Sequence, residues 1–144
     1  MEKFIIINPF GIGDVLFTTP VIRAIKAGNP DSFIGYWCNE RVQALFKNDP
    51  NVDRVFPLSK GDIKKISDIS KWEGIKRSWG LYRKIKKERF DVALDFSLDY
   101  RYAWICQVAG VKRRLGFNYK KRGRFLTDRI DIGSYQAKHV VEYY

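Results

Sequence analysis

An aspartate behind two glycines, in Gly11-Ile12-Gly13-Asp14, is the residue of this chain best placed to move a proton. It follows the apolar run Phe4-Ile5-Ile6-Ile7 and precedes Val21-Ile22-Arg23-Ala24-Ile25-Lys26, a pattern of buried strand, tight turn and helix. That order sets Asp14 at the carboxyl edge of a sheet, where open α/β folds receive their ligands. Two roles are open to a carboxylate there. It can cap the helix by accepting a backbone N–H, worth on the order of 1 kcal/mol, or it can act as general base toward an attacking hydroxyl. Gly11 and Gly13, with Thr18 and Thr19 just beyond, are the candidates for substrate contacts at this turn.

A Gly-x-Gly turn after a first strand also invites a dinucleotide reading, in which the glycines admit a pyrophosphate to a helix amino terminus. Leu16 stands where the third glycine belongs, and Asp14 puts a carboxylate where the phosphates would lie. Glu40 imitates the ribose-binding acid, but the rest of the fingerprint fails, and no Walker lysine follows. Asp95 and Asp99 flank the end of a later strand; with Asp14 they suggest a metal site, against the commoner duties of capping and loop hydrogen bonding. No metal is expected. No Ser/His/Asp order or reactive-cysteine setting is visible, and the lone histidine, His139, reads as a hinge or helix-surface residue.

The elements that position these groups follow from periodicity. The first helix runs to Gly28-Asn29-Pro30, with Pro20 inside it as a bend. Ser32 to Cys38 reads as a second strand, Asn39 to Lys47 as a short helix, and Asp53 to Leu58 as a third strand. Residues 59 to 70 read as an exposed loop carrying Lys64 and Lys65. A helix from about Lys71 to Glu88 sets Trp72, Ile75, Trp79, Tyr82 and Ile85 on one side and a basic face on the other. Asp91 to Phe96 is a fourth strand, Tyr100 to about Ala109 a helix containing Arg101, and Lys112 to Phe117 a fifth strand. The basic loop Asn118 to Arg124 follows, then Phe125 to Ile132 as a short strand or hairpin. Gln136 to Tyr144 begins another helix. Short βα joints imply parallel pairing with right-handed crossovers, hence an open, Rossmann-like parallel sheet flanked by helices.

Composition agrees with a folded domain. Of 144 residues 45% are hydrophobic and 30% charged, and 27 Lys and Arg against 16 Asp and Glu leave a net charge of +11. Such a surplus points to an anionic partner: nucleic acid, a phosphorylated ligand, or an acidic membrane face. Cys38 and Cys106 sit in apolar surroundings without metal-ligand spacing and read as buried free thiols. No stretch is long enough for a signal peptide or a membrane span, so a cytoplasmic protein is expected, touching a membrane only peripherally.

The string Gly11-Ile12-Gly13-Asp14-Val15-Leu16-Phe17-Thr18-Thr19-Pro20 resembles glycosyltransferase family 9, the ADP-heptose:lipopolysaccharide heptosyltransferases. Val52-Asp53-Arg54-Val55, Phe90 to Phe96, Arg113-Arg114-Leu115-Gly116-Phe117 and His139-Val140-Val141-Glu142 match in the family's order over almost the whole chain. The resemblance implies a GT-B enzyme, two Rossmann-like domains across a cleft, with the acceptor on the amino-terminal one. Residues 1–133 would be that acceptor-side domain and 134–144 the start of the helix leading to a carboxyl-terminal donor-binding domain. It implies that Asp14 deprotonates the acceptor hydroxyl in an inverting, metal-free transfer from a nucleotide-sugar such as ADP-heptose, a co-substrate rather than a cofactor. The implied acceptor is the anionic inner core of lipopolysaccharide at the inner membrane leaflet, which a basic domain suits. Lys64, Lys65, Arg101, Lys120, Lys121, Arg122 and Arg124 are the candidate contacts. The chain is about half the length that two such domains need, so a fragment carrying the acceptor half, inactive alone, is the expectation. The rival from another class is a nucleic-acid or phospholigand module built on the basic 112 to 124 segment with Phe117 and Tyr119. It leaves the glycine-aspartate turn without a task, and no nucleic acid is expected.

Overall fold

Ile5, Ile6 and Ile7 are all wholly buried, although successive residues of a strand point to opposite faces. The strand that carries them, β1 (Lys3–Asn8), must therefore be covered on both sides. The computed structural model, which describes residues 1–58 and 71–132 without the side chains of 71–75, 77 and 78, shows how. Six strands pair in the order β3-β2-β1-β4-β5-β6, with β2 Phe33–Asn39, β3 Arg54–Leu58, β4 Val92–Asp95, β5 Arg113–Tyr119 and β6 Asp128–Ile132. Every pairing is parallel. The chain steps outward from β1 to β3, then crosses to the other side of β1 for β4 to β6. That is the order of a doubly wound sheet whose direction of winding reverses between β1 and β4.

The helices divide between the faces. Helices α1 (Ile12–Phe17) and α2 (Thr19–Gly28) and a 3₁₀ helix, Glu40–Phe46, cover one; α3 (Lys71–Glu88) and α4 (Tyr100–Val108) cover the other. Ile6, Ile34, Tyr36 and Cys38 pack with Val15, Ile22, Val42 and Phe46 in the first core. Ile5, Ile7, Trp37 and Ala93 pack with Ile85, Tyr102 and Cys106 in the second. Close approach fixes Gly35 in β2, because a Cβ there would stand 2.6 Å from the Phe90 ring. Both cysteines are buried and free, and burial pushes the Cys38 thiol up to about 12, far from reactive.

Four expectations change or narrow. The first helix is not one bent rod but two: α1 stops at Phe17 and α2 starts at Thr19, so Pro20 stands in a first turn, where no backbone donor is needed. Of the short strand or hairpin read over 125 to 132, the strand is what forms, parallel to β5 and reached by only a short loop, residues 120–127. Arg114 holds that loop, donating from Nε to the Phe125 carbonyl at 2.7 Å, while its backbone N–H donates to Thr127 Oγ1 at 2.8 Å. Asn118 belongs to β5 rather than to the basic loop. Finally, Trp79 is 58% exposed, and among the described side chains of α3 it is Leu81 and Ile85 that join the core. The loop with Lys64 and Lys65, the side chains of Trp72 and Ile75, and the helix with His139 over 134–144 lie outside the described residues.

Candidate functional site

Topology brings two loops to the reversal point. One leaves β1 at Asn8, the other leaves β4 at Asp95, and these strands are neighbours, with Ile7 opposite Asp95. Crevices of this kind, outside the carboxyl ends of the strands, are where such sheets bind ligands.

The β1 turn is organised by Asn8, which is fully buried. Its Nδ2 donates to the Asp14 carbonyl at 3.1 Å, and its Oδ1 accepts the Phe10 N–H at 3.2 Å, so one side chain holds both arms of the turn. A polar residue closing an otherwise apolar strand was the signal for it in the sequence. Asp14 does not cap the helix. Gly11 is the N-cap, its carbonyl accepting the Val15 N–H at 3.1 Å with no side-chain cap bond, and Asp14 stands in the first turn, half-buried. Gly11 and Gly13 are exposed, and a Cβ on either would meet nothing within 4 Å. Neither has a positive φ among the described residues. The backbone does not demand glycine here; the glycines leave the surface of the turn bare.

The threonines behave differently from a pair of ligand contacts. Thr18 is fully buried, its Oγ1 donating to the Val15 carbonyl at 2.7 Å and meeting Tyr36 Oη at 2.5 Å, so it offers no surface to a substrate. This corrects its assignment as a binding residue. Thr19 Oγ1 donates to the Leu16 carbonyl at 2.7 Å and remains partly accessible. Together the two hydroxyls add to the Thr18 backbone N–H in satisfying the last carbonyls of the short α1. Burial also raises the Tyr36 phenol well above its ordinary value, so it stays neutral.

The β4 loop is packed and fully bonded. Asp95 is buried, its Oδ1 accepting the Ser97 N–H at 2.8 Å. Burial pushes its carboxyl up to about 7, against the lowering effect of the Ser97 bonds. Ser97 Oγ donates to the Asp99 carbonyl and accepts the Asp99 N–H, each at 3.2 Å. Between them Leu98 takes a left-handed φ of 59°, a conformation that costs a non-glycine residue roughly 1–3 kcal/mol and concentrates at functional loops. Asp99 caps α4 through the Arg101 N–H at 3.0 Å and grips the Arg101 guanidinium, with Nη2 to Oδ2 at 2.6 Å. Burial alone would raise the Asp99 carboxyl, but the Arg101 bonds and the charges of Arg101 and Arg122 hold it below its ordinary value. Capping and ion pairing thus occupy Asp99. Among the described residues no three His, Cys, Asp or Glu side chains form a metal-binding group.

The basic candidates among the described residues lie at the start of α4 and in the turn after β5. Lys120 and Lys121 both adopt positive φ, 47° and 59°, in a turn closed by the Arg122 N–H on the Tyr119 carbonyl at 2.9 Å. Lys120 Nζ lies 5.2 Å from the Tyr119 ring centre. The Arg124 guanidinium lies 4.5 Å over Tyr100, the first residue of α4, and 4.9 Å over Phe125. Asn118, unmarked by the sequence reading, anchors the turn by accepting the Gly123 N–H at 3.1 Å and donating to Asp131 at 2.6 Å. Arg101, Arg122 and Arg124 therefore converge on the start of α4 at the carboxyl edge, Arg101 already paired.

An all-parallel open sheet wound about β1, with its loops converging at the β1/β4 reversal, is the Rossmann-type architecture of one half of a GT-B fold. Solved structures carry the same half. The chain superposes on E. coli ADP-heptose LPS heptosyltransferase II with a TM-score of 0.74 at 19% identity, over 99% of this chain and 38% of that one. For the glycosyl transferase family 9 protein from Veillonella parvula DSM 2008 the values are 0.75, 19%, 99% and 39%. For E. coli heptosyltransferase WaaC with ADP they are 0.76, 16%, 99% and 45%. The chain thus spans less than half the length of each, and at these identities it is the fold that is shared. Neither a protein-family model nor a curated protein sequence matches the chain.

Proposed function

We propose that this chain is the acceptor-side half of an inverting glycosyltransferase. The observation that carries the reading is the β1 turn: a half-buried carboxylate, Asp14, held from behind by Asn8 at the sheet reversal, beside two glycines whose faces are bare. A base on the acceptor side is what an inverting transfer requires. Asp14 takes the proton of the acceptor hydroxyl as its oxygen attacks the anomeric carbon. The bond from that carbon to the nucleoside diphosphate breaks, the diphosphate leaves with the electron pair, and the configuration inverts. A donor-binding domain must hold the nucleotide, a task that the 38–45% share of the neighbours' lengths leaves to a second domain.

The finer reading is transfer of heptose or a related sugar, from a donor such as ADP-heptose, to the lipopolysaccharide inner core at the cytoplasmic face of the inner membrane. Its support is the motif resemblance, the heptosyltransferases among the similar folds, and the cationic edge formed by Lys120, Lys121, Arg122 and Arg124, which suits an acidic acceptor. Lys64 and Lys65 remain candidates by sequence.

The test is transfer to a lipid-free inner-core acceptor by the chain joined to its donor-binding domain. Asp14→Asn is expected to leave folding and acceptor binding unchanged while kcat falls roughly 10²- to 10⁴-fold. Unchanged kcat would reduce Asp14 to a first-turn helix residue and remove the reading.

A further inference from the structure

Helix α4 breaks the usual rule that a surface helix is apolar on one side only. Tyr102, Ala103 and Cys106 face the core, yet Tyr100, Trp104 and Val108, spaced by four, form an outer ridge that is 39%, 48% and 49% exposed. Helix α3 packs beside it on the same face of the sheet and exposes Trp79, whose ring pairs with Tyr82 at 5.1 Å. Two half-exposed tryptophans and a valine on adjoining helices are not needed by the fold, and grouped apolar exposure of this kind marks an interaction surface.

The charge around the ridge selects the occupant. From Tyr100 to Thr127 the sequence has eight Lys or Arg residues and no Asp or Glu, and from Gly74 to Lys87 it has six and none. Arg83, Lys84, Lys87, Lys112 and Arg124 are exposed. A second copy of the chain, itself at +11, would be repelled from such a face. Nucleic acid would use the cations but not Val108, which has no π-face to stack. Indole and phenol rings set among lysines and arginines are what the boundary of an anionic bilayer accepts, the rings at headgroup depth and the cations on the lipid charge. Among the described residues no helix is long and apolar enough to cross a membrane.

We infer that the α3/α4 face, with Trp104, Val108 and Trp79 as its apolar anchors, is a docking surface for an anionic membrane. The ridge starts at Tyr100, under Arg124 at the carboxyl edge, so a chain lying on this face meets a lipid-linked acceptor beside the β1/β4 crevice. In that respect the inference deepens the glycosyl-transfer reading, but the patch is its own evidence.

The experiment is sedimentation of the chain with phosphatidylcholine vesicles, plain or containing about one-third phosphatidylglycerol. Binding is expected to the anionic vesicles, weakening with salt. Trp104→Ser with Val108→Ser should weaken it at least about tenfold, and Trp104→Phe should largely restore it. Arg83→Glu with Lys87→Glu, both exposed, should weaken it without touching the ridge. Circular dichroism and the thermal midpoint check that each variant folds; if the ridge variants do not, the charge variants decide. Absence of vesicle binding, binding indifferent to both sets, or displacement of the vesicles by single-stranded RNA would overturn the inference. Because the vesicles hold no acceptor and the transfer assay uses a lipid-free one, either proposal can fail while the other stands.

Discussion

The two loops that meet at the sheet reversal solve opposite problems. The turn after β1 is bare: two exposed glycines with nothing within 4 Å of their missing side chains, and one half-buried carboxylate whose own backbone carbonyl Asn8 holds. The loop after β4 is full, with Asp95, Ser97 and Asp99 each bonded to the next and Asp99 spent on Arg101. A carboxylate meant to react needs room for its substrate, whereas one meant to shape a loop needs its lone pairs occupied. On that criterion Asp99 is a structural group, and the open turn around Asp14 has the room that its proposed role requires, although the bare sequence presents both as aspartates at strand ends.

Glycine substitutions test the contrast most severely. In β5, Gly116 lies where a Cβ would stand 2.6 Å from the Asp95 backbone oxygen, so Gly116→Ala should cost about 3 kcal/mol in urea unfolding. Gly13→Ala, in the open turn and inside α1, should instead be neutral or stabilise by up to about 1 kcal/mol, since alanine is the better helix former. Gly13→Leu should keep that stability and abolish transfer by filling the substrate's space. Equal losses at positions 13 and 116 would end the distinction between an open and a packed loop.

Next in size, Asp99→Ala should destabilise by about 2 kcal/mol, from the lost cap of α4 and the partner removed from Arg101. Asp14→Ala should cost less than that, since Asp14 makes no cap. Chemical denaturation of the two variants side by side measures the difference.

The pH response divides the β4 loop itself. Asp95, raised to about 7 by burial, keeps in the folded chain a proton that the unfolded chain releases near the ordinary aspartate value. Stability therefore falls as pH rises through that window, by at most about 1.4 kcal/mol per pH unit. Asp99, held low, acts in the other direction: its contribution is present above the ordinary carboxylate range and is lost on acidification. Thermal midpoints between about pH 5 and about pH 8 should rise toward the neutral end in Asp95→Asn relative to the parent chain.

How much of this was legible follows from where each element gets its stability. The triple isoleucine of β1 is readable because a strand covered on both faces needs an unbroken apolar run, and the glycine turn and its carboxylate follow from it. The break at Thr18 was not readable, because it depends on a hydroxyl reaching back to Val15 and across to Tyr36, eighteen residues away in sequence. β6 was readable as a short strand, but not its direction: its residues alternate weakly, and only pairing with β5 and the grip of Arg114 on the intervening loop make it parallel rather than one arm of a hairpin. On α3 the three- and four-residue spacing named Trp79 as core, but spacing alone does not say how wide the covered stripe is. The basic side chains could be named but not sorted, since the Asp99 bonds that immobilise Arg101 and the rings that hold Arg124 come from other elements.

The smallest effect concerns strain at the edge of the crevice. Lys120 and Lys121 occupy the two central positions of a turn whose positive φ values ordinarily call for glycine or asparagine. A lysine held there costs roughly 1–2 kcal/mol that a glycine would not. Lys121→Gly should accordingly raise stability by about 1 kcal/mol, offset in part by the entropy glycine regains on unfolding. If the turn exists to present its cations, the same change should weaken binding of an acidic acceptor several-fold and flatten its salt dependence. Asn at 121 then separates the causes: it accepts the left-handed backbone yet lacks the charge, so it should match glycine in binding while keeping more of the stability. A gain in stability with unchanged acceptor binding would leave the strained turn as a connector between β5 and β6 and move the anion-binding role to Arg122 and Arg124.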